Sequence, residues 1–230
     1  MDWLTRLIGR LRPASAPTPA SLAGPEPPHK LETSIREHLA PLLREEGFTG
    51  SGRTYRRRVA GLIHVVSVQG SSSGGRFAVN LGVQPLTIPT DHDVDPRKIT
   101  EADCVFRRRL SLSGGDQWWP HDGTRTAMDA AVRDAASVYA AVGGPAFAAL
   151  SADDSPLRVG TVEAFANGGL DLRGFRATDV IMAHAFALMR QAEGKPEAAR
   201  DFALWALEEI ERSGGGVLLR RELRAVADAC

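Results

Sequence analysis

The sequence is poor in cysteine and in long apolar runs, and it has no excess of either charge. Two cysteines, Cys104 and Cys230, are too few for a disulfide framework and favour a reducing compartment, which we expect to be the cytoplasm. The 28 basic and 28 acidic side chains balance, which disfavours a dedicated nucleic-acid-binding protein. No apolar run approaches the roughly 18–20 residues of a membrane-spanning helix.

Composition divides the chain into four stretches. Residues 1–12 predict a basic amphipathic helix, because leucines and arginines alternate there at helical spacing. Such a helix lies on an anionic membrane surface in some proteins, and in others it docks on the main domain or frays. Residues 13–28 are rich in proline and predict a disordered linker. Residues 29–150 predict an α+β domain, and residues 151–230 predict a helical region packed on it.

The middle of the chain is typical of an antiparallel sheet with helices before and after it. A helical pattern runs from Leu31 to Leu43, although Pro41 within it favours a kink or a break. The runs that predict strands are Thr54–Val59, Leu62–Gln69, Arg76–Gln84 and Cys104–Leu110. We therefore predict an α+β fold, in which an antiparallel sheet of about four strands packs on helices and is followed by a C-terminal helical region.

The second and third strands flank a Gly-Ser-Ser-Ser-Gly-Gly turn and are predicted to pair as a hairpin, with Val68 opposite Phe77. Alternation then gives a core face of Leu62, His64, Val66, Val68, Phe77, Val79, Leu81 and Val83. The opposite face carries Ile63, Val65, Ser67, Gln69, Arg76, Asn80 and Gly82. We expect this polar face to stay free for contact with a ligand or partner, whereas a bulge in the turn would exchange the two faces.

The C-terminal part of the chain is predicted to be mostly helical. Its patterns predict helices over Thr124–Val142, Thr178–Glu193, Pro196–Arg212 and Val217–Asp228. The first of these is expected to end at the Gly143-Gly144-Pro145 sequence, because glycine and proline are common where helices stop. The two middle helices look like one helical hairpin of tetratricopeptide type, but a single unit does not make a repeat array.

No motif in the sequence predicts a cofactor or a metal site. The acidic segment 91–95 opens like a calcium-binding EF-hand loop, but Pro96 and Ala102 stand where that loop needs glycine and glutamate. A weaker carboxylate–imidazole metal site is an alternative, with further ligands among Glu101, Asp103 and His121.

Two arginine triplets, 56–58 and 107–109, lie in predicted strands, and alternation divides each triplet between the two faces of the sheet. Arg57 and Arg108 share a face with core residues, so we expect them at the edge of the core or in a cleft, paired with carboxylates. The other four arginines predict a basic surface, used either for an anion or for edge protection. Edge protection is favoured, because the strand patterns put no aromatic residue on that face and nucleic-acid platforms need one.

The segment from Asp116 to Asp122 is the most distinctive local string. Trp118 and Trp119 in tandem predict either a ligand platform, or one ring in the core and one over a helix end. The predicted ligand-binding residues are Arg57, Gln69, Asn80, Arg108, Asp116, Trp118, Trp119 and His121. No Gly-x-Ser-x-Gly elbow is present, and Cys104 on a strand predicts a small buried side chain, so no catalytic residue is assigned.

The chain contains, in this order, LAPLLREEGFTGSGRTYRRR, VVSVQGSSSGGRFAVNLGVQP and CVFRRRLSLSGGDQWWP. These segments predict a helix ending at Gly47-Phe48, a strand with Tyr55 and Arg57, a strand with Asn80, and an arginine-rich strand that leads to the two tryptophans. In this order they resemble a bacterial family known as domain-of-unknown-function family 4304, over about residues 35–120. The resemblance implies an α+β fold and carries no activity, cofactor or site residue.

These features favour a non-enzymatic binding or protein-interaction module, immunity-like or regulatory, whose partner is a protein or a small polar ligand. One alternative is an enzyme with a polar site between the sheet and the Trp118–Trp119 loop, which requires at least three of the candidate polar residues to converge on one pocket. A second alternative is a peripheral membrane protein that makes weak surface contact through residues 1–12.

Overall fold

A computed structural model describes residues 29–90 and 94–229 of the chain. The helix predicted over residues 1–12 and the linker predicted over residues 13–28 lie outside the described residues. The same holds for residues 91–93 of the acidic segment.

The sheet is antiparallel throughout, and the α+β fold class is confirmed. Its strands are β1 (Thr49–Ser51), β2 (Thr54–Val59), β3 (Leu62–Gly70), β4 (Arg76–Pro85), β5 (Phe106–Arg109) and β6 (Trp119–Pro120). They lie in the order β1-β2-β3-β4-β5, and β6 pairs with the first residues of β4. The two short strands β1 and β6 were not predicted, because three and two residues are too few for a period to emerge.

The β3–β4 hairpin has the predicted faces but a different register. Val68 lies opposite Val79 and Gly70 lies opposite Phe77, so β4 is shifted along β3 relative to the predicted register. This shift is two residues, which returns every side chain to the same side of the sheet. The predicted core face is therefore correct although the predicted Val68–Phe77 pair is wrong.

Helix α1 contains Leu31–Ser34, a π-helical turn at Ile35–Leu39, and Ala40–Glu45 without interruption. Of the two alternatives predicted at Pro41, a kink or a break, the break is wrong, because the chain is helical on both sides of this residue. Pro41 lies in the first turn of the segment Ala40–Glu45, directly after the wider turn, where a missing N–H is tolerated. Gly47, with φ at 86°, follows the end of the helix.

Helix α2 likewise continues past its predicted end. It contains Arg125–Val138, a π-helical turn at Tyr139–Gly143, and Gly144–Ser151. Gly144 has ordinary right-handed helical angles, and Pro145 lies in the first turn of the last segment, so neither stops the helix. By length and composition the stretch Arg125–Val159 could cross a membrane, but half of its most apolar window is buried, and core helices of soluble proteins pass the same test.

The other helices are α3 (Pro156–Val159), α4 (Val162–Ala166), α5 (Asp179–Ala192), α6 (Pro196–Ser213) and α7 (Arg220–Asp228). Their bounds agree with the predictions for the last three to within a few residues. Thr178 caps α5 by accepting from the Ile181 amide, and Gly214 ends α6 in the left-handed conformation that glycine adopts at low cost.

One hydrophobic core joins the inner face of the sheet, which is the face toward the helices, to both groups of helices. Phe106 of β5 packs against Phe186 of α5 with ring centres 6.1 Å apart, and Phe147 of α2 packs against Phe175 at 5.5 Å. Burying each such ring stabilises the fold by about 1.5–3 kcal/mol. The core therefore continues across residue 150, where we predict a domain boundary.

The other side of the sheet, the open face, is covered over part of its area. Ile63 and Val65 of β3 pack there with Ile99 and Cys104 from the loop 94–105, and this second cluster is small. The expectation of a wholly free polar face is therefore wrong for this half. The half that carries Gln69, Arg76, Asn80 and Arg109 is not part of the second cluster.

Candidate functional site

The open face carries an indole held between two guanidinium groups. Trp118 directly precedes β6, and because β6 pairs with the start of β4, its ring lies beside Arg76 of β4 and Arg109 of β5. The Cζ atoms of Arg76 and Arg109 lie 4.7 and 5.0 Å from the centre of the ring. Each such cation–π contact stabilises by about 0.5–1 kcal/mol at an exposed site.

Asp116 ties this indole to one of the two arginines. Its Oδ2 accepts a hydrogen bond from Nε1 of Trp118 at 2.9 Å, and its Oδ1 lies 3.0 Å from Nε of Arg109. The Asp116 side chain is 65% exposed, so the ion pair itself contributes little to stability. Its effect is to hold the ring in one orientation while the carboxylate still faces solvent.

An amide pair continues this surface along the sheet. Nδ2 of Asn80 donates to Oε1 of Gln69 at 3.0 Å and to Oε1 of Glu101 at 3.1 Å. Asn80 lies opposite Arg109 in the β4–β5 register, which joins the amide pair to the indole. We name these residues together the Trp118 surface: Gln69, Arg76, Asn80, Glu101, Arg109, Asp116 and Trp118.

Arg57 and Arg108 lie on the inner side of the sheet and not on this surface. Arg57 donates from Nη1 to the Glu46 carbonyl at 2.9 Å and lies 3.5 Å from the Glu46 carboxylate. Arg108 donates to the carbonyl of Arg173 at 2.6 Å. The structure thus places both at the edge of the core, with Arg57 beside a carboxylate and Arg108 beside a carbonyl.

Trp119 and His121 also face the inner side. Trp119 is 3% exposed, stacks on Phe77 with ring centres 5.7 Å apart, and donates to Oδ2 of Asp134 at 2.7 Å. His121 lies beside the same Phe77 ring at 6.2 Å, and desolvation lowers the pKa of its imidazole. Of the predicted ligand-binding residues, the structure therefore brings together Gln69, Asn80, Asp116 and Trp118.

A serine and a histidine meet inside the fold, but their contacts oppose nucleophilic catalysis. Nδ1 of His64 accepts from Nε of Arg57 at 3.2 Å, which leaves the ring proton on Nε2, 3.0 Å from the Ser151 hydroxyl. That hydroxyl donates in turn to the Phe147 carbonyl at 3.0 Å. Burial, and secondarily the charge of Arg57, lower the pKa of His64 to about 3. A general base needs the opposite arrangement, an acceptor on Nδ1–H and a free Nε2 lone pair.

Cys104 is buried beneath the loop 94–105. It is 5% exposed, and its Sγ lies 3.3 Å from the Thr100 carbonyl. Desolvation, followed by the charges of Asp103 and Glu101, raises the pKa of its thiol far above the ordinary value. The thiol is therefore protonated at neutral pH and is a poor nucleophile.

Glu37, His38 and Asp129 are the residues that could hold a metal, since their ligand atoms lie within 4.8 Å of one another. Asp129 Oδ1 accepts from the Ser34 hydroxyl at 2.6 Å and lies 3.3 Å from Nε2 of His38. Arg125 lies 2.9 Å from the Glu37 carboxylate and 3.4 Å from the Asp129 carboxylate. A guanidinium in contact with both carboxylates opposes a second cation, so the group is an ion-paired clamp between α1 and α2.

Sequence reasoning missed three members of the Trp118 surface: Arg76, Glu101 and Arg109. Strand alternation does place Arg76 and Arg109 on the open face, so their side of the sheet could be predicted. Their contact with Trp118 depends on β6, which the pattern did not predict. Glu101 comes from the loop 94–105, whose path no periodic pattern indicates.

Residues 39–136 match the family model described as "Domain of unknown function (DUF4304)". This range contains strands β1 to β6 and all seven residues of the Trp118 surface. No curated protein and no solved structure matches the chain significantly.

Proposed function

We propose that this protein is a non-enzymatic binding module that holds an acidic segment of a protein partner on the Trp118 surface. The main observation in support of a binding role is the Trp118 ring, which lies half-buried on the open face between Arg76 and Arg109. Tryptophan and arginine are the residues most enriched where protein interfaces concentrate their binding energy.

Pre-orientation supports a binding role. The Trp118 indole is held by Asp116 on one edge and by two guanidinium groups on its faces. A ring that is already ordered loses little conformational freedom when a partner docks, and this lowers the cost of association. The amide pair of Gln69 and Asn80 adds polar groups that fix the position of a partner chain.

The charge of the surface favours an acidic partner. Arg76 and Arg109 flank the indole, Arg107 lies on the same open face, and neither Arg76 nor Arg107 has an ion pair among residues 29–90 and 94–229. Asp116 pairs with Arg109, and the surface also holds the Glu101 carboxylate, so three guanidinium groups stand against two carboxylates, an excess of one positive charge. Carboxylates of a partner would pair with these groups in bidentate geometry.

The contacts of the candidate nucleophiles support a binding role over chemistry. His64 is held as a neutral donor toward Ser151, and the Cys104 thiol is buried and protonated. Gln69, Asn80 and Asp116 meet on an open surface, while Arg57, Arg108 and His121 lie on the other side of the sheet, so the polar candidates of the enzyme alternative do not form one site. The family resemblance supports a bacterial origin and the cysteine usage supports a cytoplasmic location, and we propose a role that is immunity-like or regulatory.

The test uses the tagged full chain as bait in extracts of its host, treated with nuclease. We expect a stoichiometric protein partner, which is then purified and titrated against the wild type and variants. Trp118→Ala should weaken the complex by about 2 kcal/mol or more, and Arg109→Gln should weaken it and reduce its salt dependence. The matched control is Arg200→Gln, an exposed arginine on α6, which should bind like the wild type.

Three outcomes would overturn the proposal. The first is turnover in an activity screen with no stoichiometric partner. The second is a partner that binds Trp118→Ala as tightly as the wild type. The third is a complex that disappears on nuclease treatment, since nucleic acid would then be the ligand.

A further inference from the structure

A cavity of about 310 Å³ opens where the edge strand β1 begins and β2 continues beyond it. Four arginines line it: Arg56, Arg57 and Arg58 from β2, and Arg97 from the loop that crosses the open face. We name this cavity the arginine pocket. It shares no residue with the Trp118 surface.

Two of these guanidinium groups are held by neighbouring groups of the protein, that of Arg56 on the open face and that of Arg57 on the inner side of the sheet. Arg56 donates from Nε to the Ile99 carbonyl and from Nη2 to the Lys98 carbonyl at 3.0 Å. Arg57 donates from Nε to His64, and its Nη1 is held by the carbonyl and carboxylate of Glu46. The backbone carbonyls orient Arg56 without neutralising it, whereas Arg57 is paired with the Glu46 carboxylate.

The other two arginines are less engaged. Arg97 lies 3.3 Å from Oδ1 of Asp95 through Nε, and its side chain is 86% exposed. Arg58 is exposed and has no hydrogen bond or ion pair from its side chain anywhere in the two described ranges. Its five N–H donors are therefore available to a ligand.

Among the residues that the structure describes, the charges around the pocket do not balance. The cations are Arg56, Arg57, Arg58, Arg97 and the neighbouring Lys98, and the carboxylates that act on them are Glu46, Asp95 and Asp103. The Asp103 carboxylate is itself held by the Thr100 hydroxyl and amide at 2.6 and 2.7 Å. Desolvation lowers the pKa of Arg56, and the coulombic interactions with Cys104 and Asp103 act in the opposite direction.

We propose that the arginine pocket binds the dianionic phosphate group of a small ligand. Phosphate carries about −1.5 to −2 charges at pH 7 and accepts paired hydrogen bonds from guanidinium forks. That charge matches the excess of two cations over carboxylates around the pocket. Arginine forks suit phosphate better than point-charge lysines do.

The size of the pocket limits what it can enclose. Ligand sites usually span about 300–1,000 Å³, so this cavity is at the small end of the range. It has room for a phosphate or diphosphate group, while the rest of a larger ligand would lie outside over Gly47 and Thr49. Free inorganic phosphates and the phosphate of a nucleotide share this chemistry, and the experiment separates them.

The test titrates inorganic pyrophosphate into the full chain by calorimetry, at constant ionic strength. We expect saturable binding to one site. Arg58→Gln and Arg97→Gln should each weaken it, Arg58→Gln by about tenfold or more, while the matched control Arg200→Gln leaves it unchanged. Circular dichroism of each variant confirms folding. Adenosine diphosphate in a parallel titration shows whether a nucleoside adds affinity, and either result supports a phosphate site.

Absence of saturable pyrophosphate binding would overturn the inference, and so would an equal loss of affinity in Arg58→Gln and Arg200→Gln, which would indicate diffuse electrostatics. The outcome is separable from the proposed function. Trp118→Ala is expected to bind pyrophosphate like the wild type, and Arg58→Gln is expected to keep the protein partner.

Discussion

A Cβ atom on Gly82 would lie 2.7 Å from the Sγ of Cys104 and 3.1 Å from the Cα of Glu101. Both distances are shorter than ordinary van der Waals contacts. The loop 94–105 therefore closes on the open face at this point because residue 82 has no side chain. This contact also sets the position from which Glu101 reaches Asn80.

Gly82→Ala should push the loop away from β4 and expose the Cys104 thiol. We expect a loss of about 1–3 kcal/mol in the free energy of unfolding, the usual cost of overpacking, and faster reaction of Cys104 with a thiol reagent. The experiment uses a Cys230→Ser background so that one thiol is counted. Gly115→Ala is the control, because its Cβ would meet nothing closer than 3.8 Å. Unchanged thiol reactivity in Gly82→Ala would contradict the prediction.

His64 should make stability depend on pH in a defined window. Its folded pKa of about 3 lies below the ordinary value near 6.5, so the unfolded chain binds the proton more tightly. The stability from neutral His64 is complete above about pH 6.5 and is lost as pH falls toward 3, at up to about 1.4 kcal/mol per pH unit. His64→Gln should flatten this slope between pH 6.5 and 5 in urea denaturation. Parallel slopes for the two proteins would refute it.

The tandem tryptophans should differ sharply in their contribution to stability. Trp119→Ala removes a buried ring and its bond to Asp134, and should lower the free energy of unfolding by about 3–5 kcal/mol. Trp118→Ala removes two exposed cation–π contacts and should cost about 1–2 kcal/mol. Urea denaturation followed by circular dichroism measures both. Equal losses would mean that Trp118 is a structural residue and not part of an open surface.

The Asp129 clamp should stabilise the fold without any metal. Asp129→Asn weakens charge-assisted bonds from Ser34, His38 and Arg125 and should cost about 1.5–3 kcal/mol. Asp201→Asn, an exposed aspartate on α6, should change stability by about 0.5 kcal/mol or less. Adding Zn²⁺ or a chelator should leave the Tm of the wild type unchanged. A rise in Tm with Zn²⁺ that Asp129→Asn abolishes would show a metal site instead.

Acidification should weaken the same clamp. Burial raises the pKa of Asp129, but the hydrogen bonds from Ser34 and His38 and the charges of His38 and Arg125 outweigh it and leave the pKa below its ordinary value. A carboxylate with a depressed folded pKa stabilises the fold above its unfolded pKa near 3.9, and this stability is lost as pH falls below it. The cost of Asp129→Asn should therefore shrink in that acidic range.

The strand faces could be predicted because side-chain alternation survives an error in register. Val68 and Val79 were assigned to the core face although their true pairing was not predicted. The continuity of the helices through Pro41 and past Gly143 could not be predicted, because proline and glycine often interrupt helices, and here a π-helical turn precedes each continuing segment. A π-helical turn shifts the spacing of the hydrophobic residues only locally, so the sequence pattern cannot distinguish it from a short irregular segment.

Part of the candidate site could also be predicted from side-chain alternation along the strands. Gln69 and Asn80 lie on the same face of the β3–β4 hairpin, in diagonal positions, so alternation was enough to place them on one surface. Arg76, Arg109 and Trp118 come from three strands, and their contact depends on β6 joining the start of β4. Glu37 and Asp129 meet through helix packing between distant parts of the chain, for which no local pattern exists.

The wide turn at Tyr139–Gly143 fixes the rotational phase of everything after it in α2. One residue of an α-helix corresponds to a rotation of about 100°, so an uninterrupted α-helix would aim the following side chains in another direction. As it is, Phe147 stacks on His64 with ring centres 4.3 Å apart and planes 13° from parallel. Deleting one residue within the turn would rotate the following helical segment and move Phe147 away from the His64 imidazole. Substitutions that keep the length of the turn would leave this stacking intact.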